Sequence, residues 1–398
     1  MSGPRILFIS GSAGLGHITR DLAIVRQVRA LDRSAEVLWL AGGPPRQALL
    51  EAGEALVPEA AEYGDLTQLA ESVHGTVLDY AAAAHKIEAR HAALIVRLAR
   101  EHHCDIVVGD ECYWLSDRLA KHPDEVQWSY VMLIDFFGGD VVKHSLREHA
   151  IAWDFNWCWV RWDRRLFGNE RNRCLFVGEL DDVADRSLGL GVPFLRRRSH
   201  ARKYFTFVGP VLPFEPSEWS DPGKAKALLG YDDRPLVVAT IGGTAVGRKL
   251  LGLFAAAHSL VRRSLPDARL VLVCGPNVEP ESVTGGEGVE VRGFVPDLYK
   301  HLAACDVAIS QGGGTTAFEL TALRRPFVYF PLEGHFEQLN SVAPRLERLH
   351  AGVRMTPSQT TPESLAAAVL AEYGRTPDYR QVPADGARRA AEIILSLR

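Results

Sequence analysis

The chain has 398 residues, 47% of them apolar, and a net charge of −4. That length suits about two domains of ~100–200 residues, and the nearly balanced charge gives no reason to expect nucleic acid as a partner. Its six cysteines (Cys104, Cys112, Cys158, Cys174, Cys274 and Cys305) form no CxxC pair and mostly sit in apolar runs, so reduced core thiols in a cytoplasmic protein are expected.

The first elements lie in "ILFISGSAGLGHITRDLAIVRQV", residues 6–28. An apolar run, Ile6–Ile9, meets a small-residue loop, Ser10–Gly16. Ile18, Leu22, Val25 and Val28 then follow at helical spacing, so the stretch reads strand, glycine-rich loop, helix. The four-residue apolar run is too short for a signal peptide. No run of ~18 apolar residues offers a membrane span. "EVLWLAGG" reads as the next strand. "CDIVVGDECYWLSDRLA" gives a strand ending at Gly109-Asp110 and entering a helix, and "QWSYVMLIDF" gives another strand. "AIAWDFNWCWVRWDRRLFG" gathers Trp153, Trp157, Trp159 and Trp162 with Arg161, Arg164 and Arg165. It reads either as a partly buried element or as a surface for an aromatic acceptor or a peripheral membrane contact. "DDVAD", 181–185, reads as a solvated turn.

Five prolines in residues 209–235 mark a join. A second set of strands and helices runs from "PLVVATIGGTAVGRKLLGLFAAAHSLV" through "ARLVLVCGP", "VEVRGFV" and "DVAISQGGGTTAFELTALRRP" to "FVYFPL". A helix from about Asp385 to Leu397 closes the chain. The expected organisation is a first domain over 1–212, a linker over 213–234, a second domain over 235–375 and a tail over 376–398. Strands alternating with helices imply doubly wound parallel sheets, with functional loops at the carboxyl ends of the strands.

Gly11, Gly14 and Gly16 are spaced GxxGxG, not GxGxxG, and the second strand ends without an acidic ribose ligand. Both features argue against a nicotinamide site. "GGTAVGRK" resembles a P-loop only in part, because Arg248 and Lys249 stand where lysine and a hydroxyl are needed. "SQGGGTTAFELTALRRP" is more informative. Gly312, Gly313 and Gly314 let main-chain amides approach a ligand, and Thr315 and Thr316 can start a helix whose positive end suits a diphosphate. Glu319, one turn in, can accept both hydroxyls of a ribose; a solvated helix-face glutamate is the plain alternative. Glu337 and Gln338 follow a strand and a Pro-Leu-Glu-Gly turn, where a carboxylate beside an amide suits a polyhydroxylated sugar.

"GGGTTAFELTALRRPFVYFPLEGHFEQLN" resembles the donor-site signature of GT-B nucleotide-sugar glycosyltransferases, in particular the MurG and monogalactosyldiacylglycerol-synthase group and the UDP-glycosyltransferase group. "GSAGLGHITRDLA" is similar to their first loop, which ends in histidine; Arg20 departs from the proline or small residue usual at its position. The resemblance implies a GT-B α/β fold: two facing Rossmann-like doubly wound parallel-sheet domains with a cleft between them, the acceptor on the first and the nucleotide on the second. It further implies a tail helix packing back toward the first domain. It gives Gly312–Thr316 the diphosphate, with Gly14, Gly16, Gly242, Gly243 and Thr244 completing the donor site. Phe294 and Val295 of "RGFVPD" would flank the base, Glu319 would hold the ribose, and Glu337 and Gln338 the donor sugar.

Transfer to a hydroxyl needs a base, a stabilised leaving diphosphate and exclusion of water. His17 is the expected base and Asp110 its orienting carboxylate, with Glu111 and Asp21 as alternatives; a histidine that only caps the loop or binds acceptor is the plain reading. No carboxylate pair stands at the donor loops, so neither metal nor cofactor is expected, and inversion is what the resemblance implies. The expected partners are a UDP-sugar, or its thymidine equivalent, and a hydroxyl acceptor that the sequence does not name. A sugar-nucleotide 2-epimerase and a non-catalytic sugar-nucleotide-binding module are the competing readings.

Overall fold

The computed structural model describes residues 3–11, 15–64, 66, 69, 77–189, 192–243 and 245–398, with Val77 described in its main chain only. Gly14 and Thr244 therefore lie outside the described residues. The chain divides into two compact units, Met1–Pro213 with Asp385–Arg398, and Phe214–Ala384.

The first unit holds β1 (Arg5–Ile9), α1 (Gly16–Leu31), β2 (Glu36–Leu40), α2 (Gly43–Glu51), α3 (Val77–Glu101), β3 (Ile106–Asp110), α4 (Tyr113–Lys121), β4 (Ser129–Ile134), α5 (Leu146–Leu166), β5 (Arg173–Val177), α6 (Arg197–Tyr204) and β6 (Phe205–Gly209). Its sheet is parallel throughout, in the order β2-β1-β3-β4-β5-β6. β3 and β4 are buried along their whole length, which is why they read as continuous apolar runs. Successive side chains feed opposite cores. Leu7, Ile9 and Met132 pack on one face with Trp159, while Ile6, Phe8 and Val108 pack on the other with Ile24 of α1. β5, β6 and α3 were not anticipated as elements, and α5 was anticipated only as a partly buried element of no stated type. "RCLFV" and "FTFVG" are runs of only five residues, too short to stand out.

The tryptophans of α5 divide. Trp159 and Trp162 are core residues, and the Trp162 indole donates to Asp117 Oδ1 at 3.1 Å. Trp153 and Trp157 are 48% and 39% exposed on the same helix. The acidic turn at 181–185 is only partly solvated. Asp182 is buried and accepts from the Glu179 amide at 2.7 Å, closing a capping box.

The second unit holds α7 (Pro222–Leu228), β7 (Leu236–Thr240), α8 (Arg248–Ser264), β8 (Arg269–Val273), β9 (Val289–Arg292), α9 (Leu298–Ala304), β10 (Val307–Ser310), α10 (Gly314–Ala322), β11 (Phe327–Tyr329), α11 (Ala343–Leu349), β12 (Val353–Arg354) and α12 (Pro362–Glu372). Its parallel sheet runs β12-β11-β10-β7-β8-β9. The proline-rich stretch 213–234 is built into this unit. Asp221 caps α7, and Phe214, Ala225 and Tyr231 join the core. Residues 376–384 stay with it too, since Tyr379 is buried there and Arg324 donates to the carbonyls of Pro377 and Tyr379. The chain then returns to the first unit as α13 (Gly386–Leu395), which packs Ala387, Ala390, Ala391 and Ile394 into the core formed with α1 and β1.

In each sheet the strand order reverses once, between β1 and β3 in the first unit and between β7 and β10 in the second. Ligands of doubly wound sheets bind outside the carboxyl ends of the strands at such a reversal.

Candidate active site

The first unit's reversal brings His17 to Asp110. Register pairs Ile9 of β1 with Gly109 of β3, so the loop after β1 and the end of β3 stand level. His17 is the second residue of α1. Its Nδ1 lies 3.0 Å from Asp110 Oδ2; the carboxylate is fully buried and the imidazole 21% exposed. Glu111 follows in the left-handed region, φ 52°, a conformation costly for a residue with a Cβ.

Arg20, one turn after His17 on α1, completes the cluster. Its Nε donates to Asp110 Oδ2 at 2.9 Å, its Nη2 donates to Asp110 Oδ1, and its Nη1 donates to Asp135 Oδ2 at 2.6 Å. The same Nη2 is 2.9 Å from His17 Nδ1 and 3.7 Å from Glu111 Oε1. Burial by itself would raise the Asp110 carboxyl, but the Arg20 charge and its two hydrogen bonds hold it well below the usual carboxylate range. Asp21 is different. Burial first, and the Asp110 charge second, push it well above that range. It is sealed from solvent, and among the described residues no hydrogen bond joins it to His17, so Asp110 and not Asp21 is the carboxylate beside the imidazole.

His17, Asp110 and Glu111 each offer a ligand atom within 4.8 Å of the others, spacing that a metal ion could use. Arg20 already grips both Asp110 oxygens, and a cation there would face its guanidinium. The donor set fits an arginine better than a metal. Beside the cluster a pocket is lined in part by Tyr63, Glu88, His91, Tyr113 and Trp114. Burial pushes Glu88 up to about 8. Burial and then the Arg90 charge push His91 down to about 4, consistent with His91 Nε2 accepting from the Gly64 amide at 3.1 Å.

The second unit's reversal collects the residues expected to meet the donor. Gly242 follows β7 with φ 79°, its amide on Thr240 Oγ1 at 3.1 Å; Gly312 follows β10 with φ 85°, its amide on Ser310 Oγ at 3.2 Å. The Gly243 carbonyl accepts from Asn277 Nδ2 at 3.1 Å. A Cβ on Gly275 would lie 2.4 Å from the Gly242 carbonyl oxygen, so glycine is required there for the two loops to touch. Gly313, not a threonine, is the N-cap of α10, and Gly314, Thr315 and Thr316 form its first turn. The amides of a first helical turn lack intrahelical partners and favour an anion. Arg248 Nη2 donates to Ser282 Oγ at 3.0 Å.

Glu319 is 5% exposed on α10, and burial followed by the Asp297 charge pushes it up to about 8. Phe294 and Val295 are half-buried just past β9. Gln338 is buried, and its Oε1 accepts from the Leu332 amide at 2.8 Å, so that oxygen is committed to the loop after β11. Glu337 lies 3.7 Å from His335 Nδ1. These residues share the carboxyl-end edge of one sheet. Arg20, read in the sequence only as a departure from a pattern, is the neighbour whose contacts sequence reading did not anticipate. Its signal was there: three residues after His17, on the same side of α1.

Residues 237–393 match the glycosyltransferase family 28 C-terminal domain. Among solved structures the chain is similar to the calicheamicin glycosyltransferase CalG4 (TM-score 0.58, 18% identity, 100% of this chain and 95% of that one). It is similar as well to the spinosyn rhamnosyltransferase SpnG complexed with thymidine diphosphate (0.56, 16%, 99% and 95%) and to Arabidopsis thaliana UGT89C1 complexed with UDP (0.57, 16%, 99% and 93%). The chain has the GT-B fold. By sequence this GT-B chain is 30% identical over 190 residues to an uncharacterized glycosyltransferase of Methanopyrus kandleri, covering 47% of this chain and 53% of that protein. It is 35% identical over 139 residues to the UDP-N-acetylglucosamine–N-acetylmuramyl-(pentapeptide) pyrophosphoryl-undecaprenol N-acetylglucosamine transferase of Methylobacterium radiotolerans, covering 32% and 37%. The chain thus spans about half, or less, of the length of these curated relatives. By sequence these matches are to glycosyltransferases, one of them a MurG-type N-acetylglucosamine transferase, and by fold they include a UDP-glycosyltransferase. Among the described residues no helix is long and apolar enough to cross a membrane.

Proposed function

We propose that this protein is a glycosyltransferase that moves a sugar from a uridine or thymidine diphosphate donor to an acceptor hydroxyl, with inversion and without a divalent cation. One observation carries the reading: two glycine loops and the first turn of α10 meet at the β7–β10 reversal, with Glu319 buried one turn along. Main-chain amides there would stabilise the departing diphosphate, and Glu319 would accept from the ribose hydroxyls. Phe294 and Val295 would flank the base, and Glu337 with the Gln338 amide would meet the sugar. In the first unit His17 Nε2 would take the acceptor proton, with Asp110 stabilising the imidazolium as it forms. Direct displacement by that hydroxyl, on the face opposite the diphosphate, inverts the anomeric centre. The nucleotides named for the similar structures, thymidine diphosphate and UDP, agree with the donor proposed. Six unpaired cysteines, five of them buried, suit the reducing cytoplasm.

The test is calorimetry with UDP and dTDP, followed by a screen of sugar nucleotides for slow donor hydrolysis in EDTA. Binding of one nucleotide and release of its diphosphate without added metal are expected. Failure of both to bind ends the reading, and hydrolysis that returns only with Mg²⁺ or Mn²⁺ ends its metal-free form. The grip of Arg20 on Asp110 favours a second reading, a sugar-nucleotide-binding module. Tight donor binding without hydrolysis or transfer would select it.

A further inference from the structure

His17 has two neighbours that its Nδ1 cannot serve together. Asp110 Oδ2 is 3.0 Å from that nitrogen and Arg20 Nη2 is 2.9 Å from it. A carboxylate only accepts and a guanidinium only donates. Nδ1 therefore either carries a proton and donates to Asp110, or is bare and accepts from Arg20. In the first form Nε2 is bare and can take a proton. In the second Nε2 holds the ring proton and can only donate.

The surroundings favour the second form. Asp110 already receives two hydrogen bonds from Arg20, one to each oxygen, so a proton on Nδ1 gains less from it. A fixed positive charge stands 2.9 Å from the nitrogen that would have to carry that proton. Arg20 is held in place, its side chain 4% exposed and its Nη1 on Asp135 at 2.6 Å. The charged or titratable groups around it are Asp21 on α1, Asp110, Glu111 and Cys112 at the end of β3, Tyr113 on α4 and Asp135 after β4.

We propose that Arg20 is a positioning residue that sets the tautomer of His17, so that the resting imidazole carries its proton on Nε2 and becomes a base only after Arg20 Nη2 gives up Nδ1. Glu111 Oε1, 3.7 Å from the same Nη2, is the acceptor toward which that N–H can turn. The exchange is balanced: one proton leaves Nε2 for solvent and one enters Nδ1. The inference rests on the glycosyltransferase reading for its consequence, but not for its geometry.

Nitrogen-15 histidine NMR of the ligand-free chain decides it, with the His17 signals assigned by their loss in His17→Gln. The expected wild-type spectrum has a bare, hydrogen-bond-accepting Nδ1 and a protonated Nε2. In Arg20→Met the protonated nitrogen should become Nδ1. A wild-type spectrum with the proton on Nδ1 overturns the proposal, whether or not the variant folds. A second readout uses turnover. Freed from Arg20, Asp110 stabilises the imidazolium fully, so the acid limb of kcat in Arg20→Met should move to higher pH. Donor KM should stay unchanged, and Arg20→Lys should restore the wild-type limb. An unmoved limb contradicts the proposal. No transfer by the wild type would end the glycosyltransferase reading and leave the tautomer to the spectrum.

Discussion

Glu319 illustrates at the residue scale how burial changes the ionisation of a carboxyl. Its folded pKa of about 8 lies above the ordinary 4.5, so between those values the folded chain holds a proton that the unfolded chain has lost. Stability linked to this group is complete below the lower value and falls as the pH rises toward the upper one. Glu319→Gln cannot ionise and escapes the fall. Its stability relative to wild type should rise between pH 5 and pH 8 by something on the order of a few kcal/mol. Urea unfolding at the two pH values checks this, and an equal difference at both would remove the buried acid. Ribose hydroxyls donate to a carboxylate, so UDP should bind the ionised form better. Affinity should therefore increase up to about pH 8 and binding should release a proton at pH 7, seen by calorimetry in buffers of different ionisation enthalpy. His17 poses the complementary question. His17→Ala should lower turnover by ~10²–10⁴ with UDP affinity unchanged, since it removes a base and no donor contact. Near-full turnover with a raised acceptor KM would make His17 a binding residue instead.

Among the elements, what could be read in the sequence is what burial on two faces and glycine geometry write plainly. β1, β3, β4 and β7 are apolar through their middles because parallel strands covered on both faces have no polar side. The loops at Gly242 and Gly312 were legible because positive φ calls for glycine. Arg20 was noticed only as a departure from a pattern. Its role needs Asp110 and Asp135, 90 and 115 residues away in sequence, and no local spacing reports such distances. Gly275 was equally silent, standing in a stretch that read only as a strand's end, yet it seats the Gly242 loop. Gly275→Ala would put a methyl 2.4 Å from the Gly242 carbonyl oxygen at φ 79°, which the loop can meet only by moving. Such strain costs ~1–3 kcal/mol and would displace amides from the proposed diphosphate site. UDP affinity at least about tenfold weaker, a loss of ~1.4 kcal/mol, is the expected calorimetric result. Wild-type affinity would show that the Gly242 loop takes no part in holding the nucleotide.

For the whole molecule the decisive feature is the return of the chain, which leaves the first unit after Pro213 and re-enters it at Asp385. α13 is therefore sequence-distant core for the first unit. Ala390, Ala391 and Ile394 are fully buried with Ile6, Phe8 and Ile24, Ser129 Oγ donates to the Leu397 carbonyl at 3.0 Å, and an Arg398–Asp32 ion pair at 3.1 Å lies outside. The exposed pair adds little, so the helix is held chiefly by its buried stripe. Ile394→Ala should then cost ~2–5 kcal/mol, the range for emptying a buried aliphatic site, and the loss should fall on the first unit alone. The tryptophans make that separable: seven of the eight, all but Trp219, belong to the first unit. Tryptophan fluorescence should report an earlier urea transition in Ile394→Ala, while UDP affinity measured below that transition stays at the wild-type value. A fluorescence midpoint that does not move would mean that α13 contributes nothing to the first unit's stability. A parallel loss of UDP binding would mean that its influence reaches beyond the unit in which it is packed.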